Sequence, residues 1–174
     1  RRVRAETTGI VLPADDPKFA RHVRRRSDEG VRLNVNTLGE AILSDAEADH
    51  RLAIVLENIA RPDVDYVSVK ISSILANLDV LAFDTTVERV VDRLRLLFRT
   101  ANAATPRTFV NLDMEEYRDL ELTLTAFMRV LKEDEFAATD AGIVLQSYLP
   151  DAHAAADRLG AWAVERHHRA GGRV

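Results

Sequence analysis

The sequence contains no cysteine among its 174 residues, which excludes disulfide bonds, thiolate metal sites and cysteine nucleophiles. No apolar run approaches the roughly 18 residues that a membrane-spanning helix needs. The arginine-rich first residues lead into polar sequence, so we predict no secretory signal there. These absences are compatible with a cytoplasmic protein.

The sequence also has no overall basic excess and no common phosphate-binding motif. Its formal net charge is −4, which argues against a general nucleic-acid binder, and we expect no nucleic acid as a partner. The densest basic cluster, Arg24-Arg25-Arg26, is typical of a solvated helix face, with contact to phosphates or an anionic membrane as the alternative. Neither a Gly-x-Gly-x-x-Gly pattern nor a P-loop occurs, and no serine has a recognisable activating motif.

What the sequence does contain is a repeated pattern. Residues 1–30 form a lead-in, with one short helix predicted from about Pro17 to Ser27. After it, one pattern recurs four times: a short apolar run, a polar turn and a segment with helical spacing. The apolar runs begin at residues 31, 64, 108 and 141. Strands that alternate with helices predict an α/β fold with a parallel sheet. This pattern alone leaves open whether the sheet is half of a barrel or a small open sheet.

Local signals predict where the helices begin and end. Capping boxes at residues 44–47 (SDAE) and 85–88 (TTVE) predict two helix starts, and Pro150-Asp151 predicts a third. Apolar residues at helical spacing after each start predict faces that pack in the core. Gly171-Gly172 predicts the end of the last helix, after which Arg173-Val174 could begin a fifth strand.

In parallel α/β folds the chemistry gathers at the carboxyl ends of the strands. These ends begin near four polar residues: Asn36, Lys70, Asp113 and Gln146. Because side chains alternate along a strand, an apolar face packed under the helices turns Lys70 towards the interior. A buried ammonium needs a partner, for which Glu40 is suitable. A structural salt bridge and a site for a ligand carboxylate both remain open.

Two other groups of polar residues have plainer explanations. The acidic run at residues 113–116 could suggest metal ligation, but all five histidines lie in helical or lead-in sequence. We therefore predict no metal site. Gln146 can donate and accept hydrogen bonds at once, which suits the edge of a heterocycle such as flavin, although an amide that caps a loop has the same signature.

Four segments at these strand ends resemble the proline dehydrogenase family, in particular the proline dehydrogenase part of the bifunctional proline utilisation A proteins. They are residues 38–41 (LGEA), 67–70 (VSVK), 111–117 (NLDMEEY) and 144–150 (VLQSYLP). Each is short, but they occur in the family's order. The resemblance covers residues 31–150 and extends through the last helix.

The resemblance implies an α/β fold made of the first four βα units of a (β/α)8 TIM-type barrel. It assigns residues 1–30 to a short lead-in segment and residues 31–174 to the N-terminal half of the barrel. It further implies binding of FAD, oxidation of L-proline to pyrroline-5-carboxylate, and transfer of the electrons to a membrane quinone. A glutamate semialdehyde dehydrogenase domain is implied in the same chain. The implied location is cytoplasmic, and a peripheral position at the inner membrane stays open.

The resemblance also implies roles for particular residues. Lys70 would hold the carboxylate of proline, and Glu40 would orient Lys70. Asp113 would lie in the active site and support its geometry and the potential of the flavin.

For the cofactor, the resemblance implies that Met114 and Gln146 line the flavin, with Val144 nearby. The sequence departs from the family at Asn36, where the family often carries aspartate.

The family places further flavin-binding and substrate-binding residues beyond Val174. We therefore expect the 174 residues alone to bind FAD poorly and not to turn over proline. A half-barrel would also expose strand edges and an apolar interior, so we expect self-association, such as a dimer of halves.

Two competing functions stay open from the sequence. One is a different barrel enzyme that uses Lys70 as a Schiff-base lysine, which borohydride trapping with a carbonyl substrate would support. The other is a non-catalytic interaction module.

Overall fold

The computed structural model describes residues 12, 17–37, 42, 44–114 and 116–174. Its strands are β1 (Val35–Asn36), β2 (Tyr66–Lys70), β3 (Phe109–Asp113) and β4 (Ala141–Ile143). Its α-helices are α1 (Pro17–Asp28), α2 (Asp45–Ile59), α3 (Ile71–Ile74), α4 (Phe83–Ala103), α5 (Leu120–Val130) and α6 (Ala152–Ala170). Short 3-10 helices occupy Tyr117–Asp119 and Asp134–Phe136.

The four strands form one sheet in the order β1-β2-β3-β4, and every neighbouring pair is parallel. The longest ladder joins β2 to β3, from Tyr66 opposite Phe109 to Lys70 opposite Asp113. This confirms the predicted α/β class and the parallel pairing, and four such units are consistent with part of a barrel. β1 is shorter than the apolar run predicted to begin at residue 31, because only Val35 and Asn36 pair with β2.

The helices pack on one face of the sheet. Val67 and Val69 of β2 and Leu112 of β3 are at most 2% exposed, and they join one core cluster with the apolar stripes of α2, α4, α5 and α6. Burying each such side chain contributes roughly 1.5–3 kcal/mol. Phe19 and Val23 of α1 belong to the same cluster, so this helix packs against the same core as the sheet.

One of the two helix starts predicted from capping boxes is confirmed. Ser44 is the N-cap of α2, and its side chain accepts a hydrogen bond from the backbone N–H of Glu47 at 3.2 Å. The box at residues 85–88 is wrong: α4 begins earlier, with Ala82 as its N-cap. The hydroxyl of Thr86 instead donates to the carbonyl oxygen of Asp79 at 2.9 Å, which ties the preceding loop to the first turn of α4.

The C-terminal residues lie beside β4. Gly171 ends α6 in the left-handed conformation (φ 80°), as its sequence predicts. The backbone N–H of Ala141 then donates to the carbonyl oxygen of Arg173 at 3.1 Å. Arg173 pairs with Asp140, and its guanidinium lowers the pKa of that carboxyl through a side-chain hydrogen bond. The residues after α6 thus lie where a fifth strand would be, although they form no regular strand.

The opposite face of the sheet, which would face inward in a barrel, carries a polar row. Asn36, Ser68, Asn111 and Gly142 stand side by side on β1, β2, β3 and β4 because the strand registers align them. Closer to the amino ends, Arg32 lies over the rings of Tyr66 and Phe109. This face therefore carries aromatic rings near the amino ends of β2 and β3, and amides and a hydroxyl closer to their carboxyl ends.

Candidate functional site

The carboxyl ends of β2 and β3 bring Lys70 and Asp113 together. The two residues are register partners, so their side chains leave the sheet on the same face from adjacent strands. Both are half-buried. Val67 and Val69 occupy the opposite, helix-covered face, which confirms the predicted inward orientation of Lys70.

Both carboxylate oxygens of Asp113 accept a hydrogen bond from an asparagine side chain. Asn111 Nδ2 donates to Asp113 Oδ1 at 3.0 Å, and Asn36 Nδ2 donates to Asp113 Oδ2 at 2.9 Å. One donor lies on the same strand as the carboxylate, and the other lies two strands away. Asp113 is therefore held from two directions.

The amides belong to a longer chain of hydrogen bonds. Ser68 Oγ accepts from Asn111 Nδ2 at 3.2 Å and from Asn34 Nδ2 at 2.8 Å. Ser68 is 2% exposed and Asn111 is 8% exposed, so the hydrogen bond between them is shielded from water. Neither residue is predicted from the sequence as part of the site. Their signal was present, because polar residues that alternate with buried apolar ones in a strand mark an inward polar row.

The residues predicted to line the flavin differ in how far their side chains are exposed. β4 ends at Ile143, and the backbone N–H of Val144 donates to the carbonyl oxygen of Leu112 at 2.9 Å, which places Val144 beside Asp113. The side chain of Val144 is exposed and that of Gln146 is half-buried. Met114 is 7% exposed and its side chain packs in the core. Glu40 lies outside the described residues.

A tyrosine–carboxylate contact joins the loops that follow β3 and β4. The hydroxyl of Tyr117 donates to Asp151 Oδ2. Tyr117 lies three residues after Met114, and Asp151 is the N-cap of α6. The hydrogen bond to Asp151, and then the negative charge of Asp151, raise the pKa of the Tyr117 hydroxyl above its usual value.

We expect a tyrosine absorbance titration to detect this contact. Asp151→Asn should lower the pKa of Tyr117 towards its usual value, because the charged acceptor is removed; Tyr117→Phe should remove the late-titrating group altogether. Because the folded-state pKa is the higher one, the contact should stabilise the fold below the usual tyrosine pKa, and that stability should be lost as pH rises through the folded-state pKa.

Asp157→Asn is the matched control, since Asp157 is an exposed carboxylate on the same helix. An unchanged titration curve in Asp151→Asn would contradict the contact.

The site combines a cation, a fixed carboxylate and an adjacent open surface. Lys70 can bind an anionic group, while Asp113 can face a positive or hydrogen-donating group of the same ligand. Val144 adds exposed apolar surface, and Gln146 adds an amide. A small ligand that carries both charges satisfies the two charged groups.

Comparisons with known proteins show which family the chain resembles as a whole. The proline dehydrogenase family model matches residues 19–174. The structure of proline utilization A (PutA) from Corynebacterium freiburgense superposes with a TM-score of 0.91 at 42% sequence identity, over 97% of this chain and 18% of that chain. PutA from Bdellovibrio bacteriovorus, inactivated by N-propargylglycine, superposes with a TM-score of 0.76 at 30% identity, over 83% of this chain and 17% of that chain.

A third PutA structure, from Bradyrhizobium japonicum, has a TM-score of 0.69 at 25% identity and covers 78% of this chain and 15% of that chain. The chain thus spans less than a fifth of the length of each of these proteins. Among curated proteins, none matches it. The family model matches nearly the whole chain, so the chain belongs to the proline dehydrogenase family.

Proposed function

We propose that the chain is part of an FAD-dependent proline dehydrogenase that oxidises L-proline to pyrroline-5-carboxylate. The observation that carries this proposal is the placement of Lys70 beside Asp113 at the carboxyl ends of β2 and β3, in a chain of this family. Proline is a zwitterion, and an ammonium next to a carboxylate offers a partner for each of its charges.

Lys70 binds the carboxylate of proline in this proposal. Its half-buried position strengthens a charge-assisted hydrogen bond, because less water competes for the ammonium. Glu40, which lies outside the described residues, would orient Lys70 through the opposite charge. Substrate binding then depends on a side chain that the rigid β2–β3 ladder holds in place.

The open surface next to Asp113 fits a flavin ring. Val144 would supply apolar contact, Gln146 would offer its amide to the polar edge of the ring, and Met114 would support this wall from the core. FAD, when bound, would accept the hydride that leaves proline. The protein's part is to hold substrate and cofactor in close register, for which elements anchored in a sheet are suited.

Asp113 contributes a negative charge at a fixed place. Oxidation removes a hydride from the ring carbon next to the proline nitrogen and a proton from that nitrogen. A carboxylate held by two donors cannot swing away as this charge redistribution occurs. Asp113 would therefore support the geometry of the site and the potential of the flavin.

Partners and location follow from the same proposal. The electrons would pass to a membrane quinone, and a glutamate semialdehyde dehydrogenase domain of the same chain would receive the product. No helix among the described residues is long and apolar enough to cross a membrane. We propose a cytoplasmic enzyme that meets the inner membrane at its surface. The 174 residues alone would associate with one another through the uncovered edges of the sheet.

The test is proline-dependent reduction of FAD. The full-length protein that contains this chain should bind FAD and reduce an electron-accepting dye when L-proline is added, and D-proline is the matched control substrate. The 174 residues alone should show weak flavin absorbance and no dye reduction, because the proposed flavin residues that follow β3 and β4 form only one side of a binding site. Full-length protein that binds FAD but leaves it oxidised with L-proline would refute the proposed function.

A further inference from the structure

We propose that Asn36 and Asn111 are positioning residues for this reaction, acting together as a two-sided clamp on the Asp113 carboxylate, and that Gly142 is required for the clamp to form. The inference rests on the proposed function, since it gives Asp113 a place in the active site. It goes further by assigning roles to three residues that contact neither proline nor flavin in that proposal.

The buried half of the clamp is Asn111. This residue is 8% exposed, and its Nδ2 group divides between Asp113 Oδ1 at 3.0 Å and Ser68 Oγ at 3.2 Å. The amide is thereby oriented from β2 before it reaches the carboxylate on its own strand. Rotation of Asp113 would cost Asn111 one of these bonds inside a shielded environment, where unpaired polar groups are expensive.

The open half of the clamp is Asn36. It is exposed at the end of β1, and its Nδ2 group reaches Asp113 Oδ2 across β2 at 2.9 Å. An exposed asparagine with this reach is not needed for core packing. Its contact restrains the second carboxylate oxygen, so both oxygens are fixed and the plane of the carboxylate is defined.

The absence of a side chain at Gly142 leaves space for the Asn111 amide. A Cβ atom at position 142 would lie 2.6 Å from Asn111 Oδ1 and 3.0 Å from two ring carbons of Phe109. The first distance is shorter than any ordinary contact, so a side chain there would push the amide out of its place. Gly142 and Asn111 are register partners on β4 and β3, which explains the close approach. The fourth strand thus sets the geometry of a carboxylate on the third.

The test is a double-mutant cycle in the full-length, FAD-bound protein. Asn36→Ala and Asn111→Ala should each lower kcat by about tenfold, the effect expected from losing one hydrogen bond to a charged group, with the KM for proline within about twofold. In an Asp113→Ala background, each should lower kcat by less than about twofold further, because both act through that carboxylate. Gly142→Ala should resemble Asn111→Ala and add little to it.

Asn102→Ala is the matched control. It removes an amide–hydroxyl hydrogen bond of 2.8 Å to Thr139, away from the strand ends, and should leave kcat unchanged. Equal losses with and without Asp113, or a raised KM at constant kcat, would overturn the clamp. If Asp113→Ala has no measurable turnover, the division between kcat and KM in the single variants decides. A parent protein whose flavin L-proline does not reduce would instead refute the proposed function, which is a separate result.

Discussion

Replacing Arg166 by alanine should destabilise the fold by about 4 kcal/mol, the largest single-residue effect on stability that we expect. Arg166 is an arginine in the interior of the α/β unit, with a relative exposure of 2%. Its guanidinium donates to three backbone carbonyl oxygens that follow α5: those of Leu131 at 3.2 Å, Phe136 at 2.9 Å, and Thr139. The alanine variant would remove all three of these donors, and only the carbonyl oxygen of Phe136 has a further donor among the contacts described, the backbone N–H of Thr139 at 2.9 Å.

The cost of burying the charge does not cancel this effect. Burial lowers the pKa of Arg166, opposed by the nearby Asp140 carboxylate, but arginine stays protonated far above neutral pH. The guanidinium also lies 5.7 Å from the centre of the Trp162 ring and against Gly172, where a Cβ atom would come within 2.5 Å of it. The alanine variant therefore loses packing as well as hydrogen bonds, and it leaves a cavity.

Urea unfolding followed by far-ultraviolet circular dichroism measures the change, with the fluorescence of Trp162, the one tryptophan of the chain, as a second probe. Arg158→Ala is the matched control on the same helix. Arg158 and its partner Glu121 are about half exposed, so the loss should stay below about 1 kcal/mol. Equal unfolding midpoints for the two variants would contradict the structural role of Arg166.

Helical periodicity predicts which apolar residues are buried, but it does not predict that Arg166 is buried. The stripe of α4, which includes Val90, Leu94 and Phe98, is at most 1% exposed, as helical periodicity predicts. Periodicity succeeds because a helix must bury one face whatever it packs against. An arginine in α6 has the same local signature whether its guanidinium is solvated or bound to carbonyl oxygens, because those oxygens come from residues about 30 positions earlier. Only the tertiary arrangement separates the two cases.

In the site, too, local patterns predict some features, while others depend on the tertiary arrangement. Alternation along β2 correctly predicts the inward turn of Lys70, and the order of the strands predicts that Lys70 and Asp113 lie at one edge of the sheet. The contact between Asn36 and Asp113 depends on the register of three strands, which no local pattern specifies. The failed capping box at residues 85–88 has a similar cause, since Thr86 takes its acceptor from Asp79 in the loop before α4.

The largest effect on activity should come from Lys70→Met in the full-length protein. We expect kcat/KM for L-proline to fall by about a hundredfold, because removing one charged partner of a carboxylate in a shielded site costs about 2–3 kcal/mol. The loss should appear mainly in KM, since Lys70 contacts the carboxylate equally before and during oxidation. Steady-state dye reduction over a range of proline concentrations measures both parameters.

Two controls separate this role from the competing ones. Lys70→Arg keeps the positive charge at the end of β2, so it should retain more activity than Lys70→Met. Pyrrolidine, which has the ring of proline without the carboxylate, should be bound equally well by the parent and by Lys70→Met. A Lys70→Arg variant as inactive as Lys70→Met, together with borohydride trapping of a carbonyl compound on the parent, would instead identify Lys70 as a Schiff-base lysine. Unchanged KM for proline in Lys70→Met would show that the substrate carboxylate is held elsewhere.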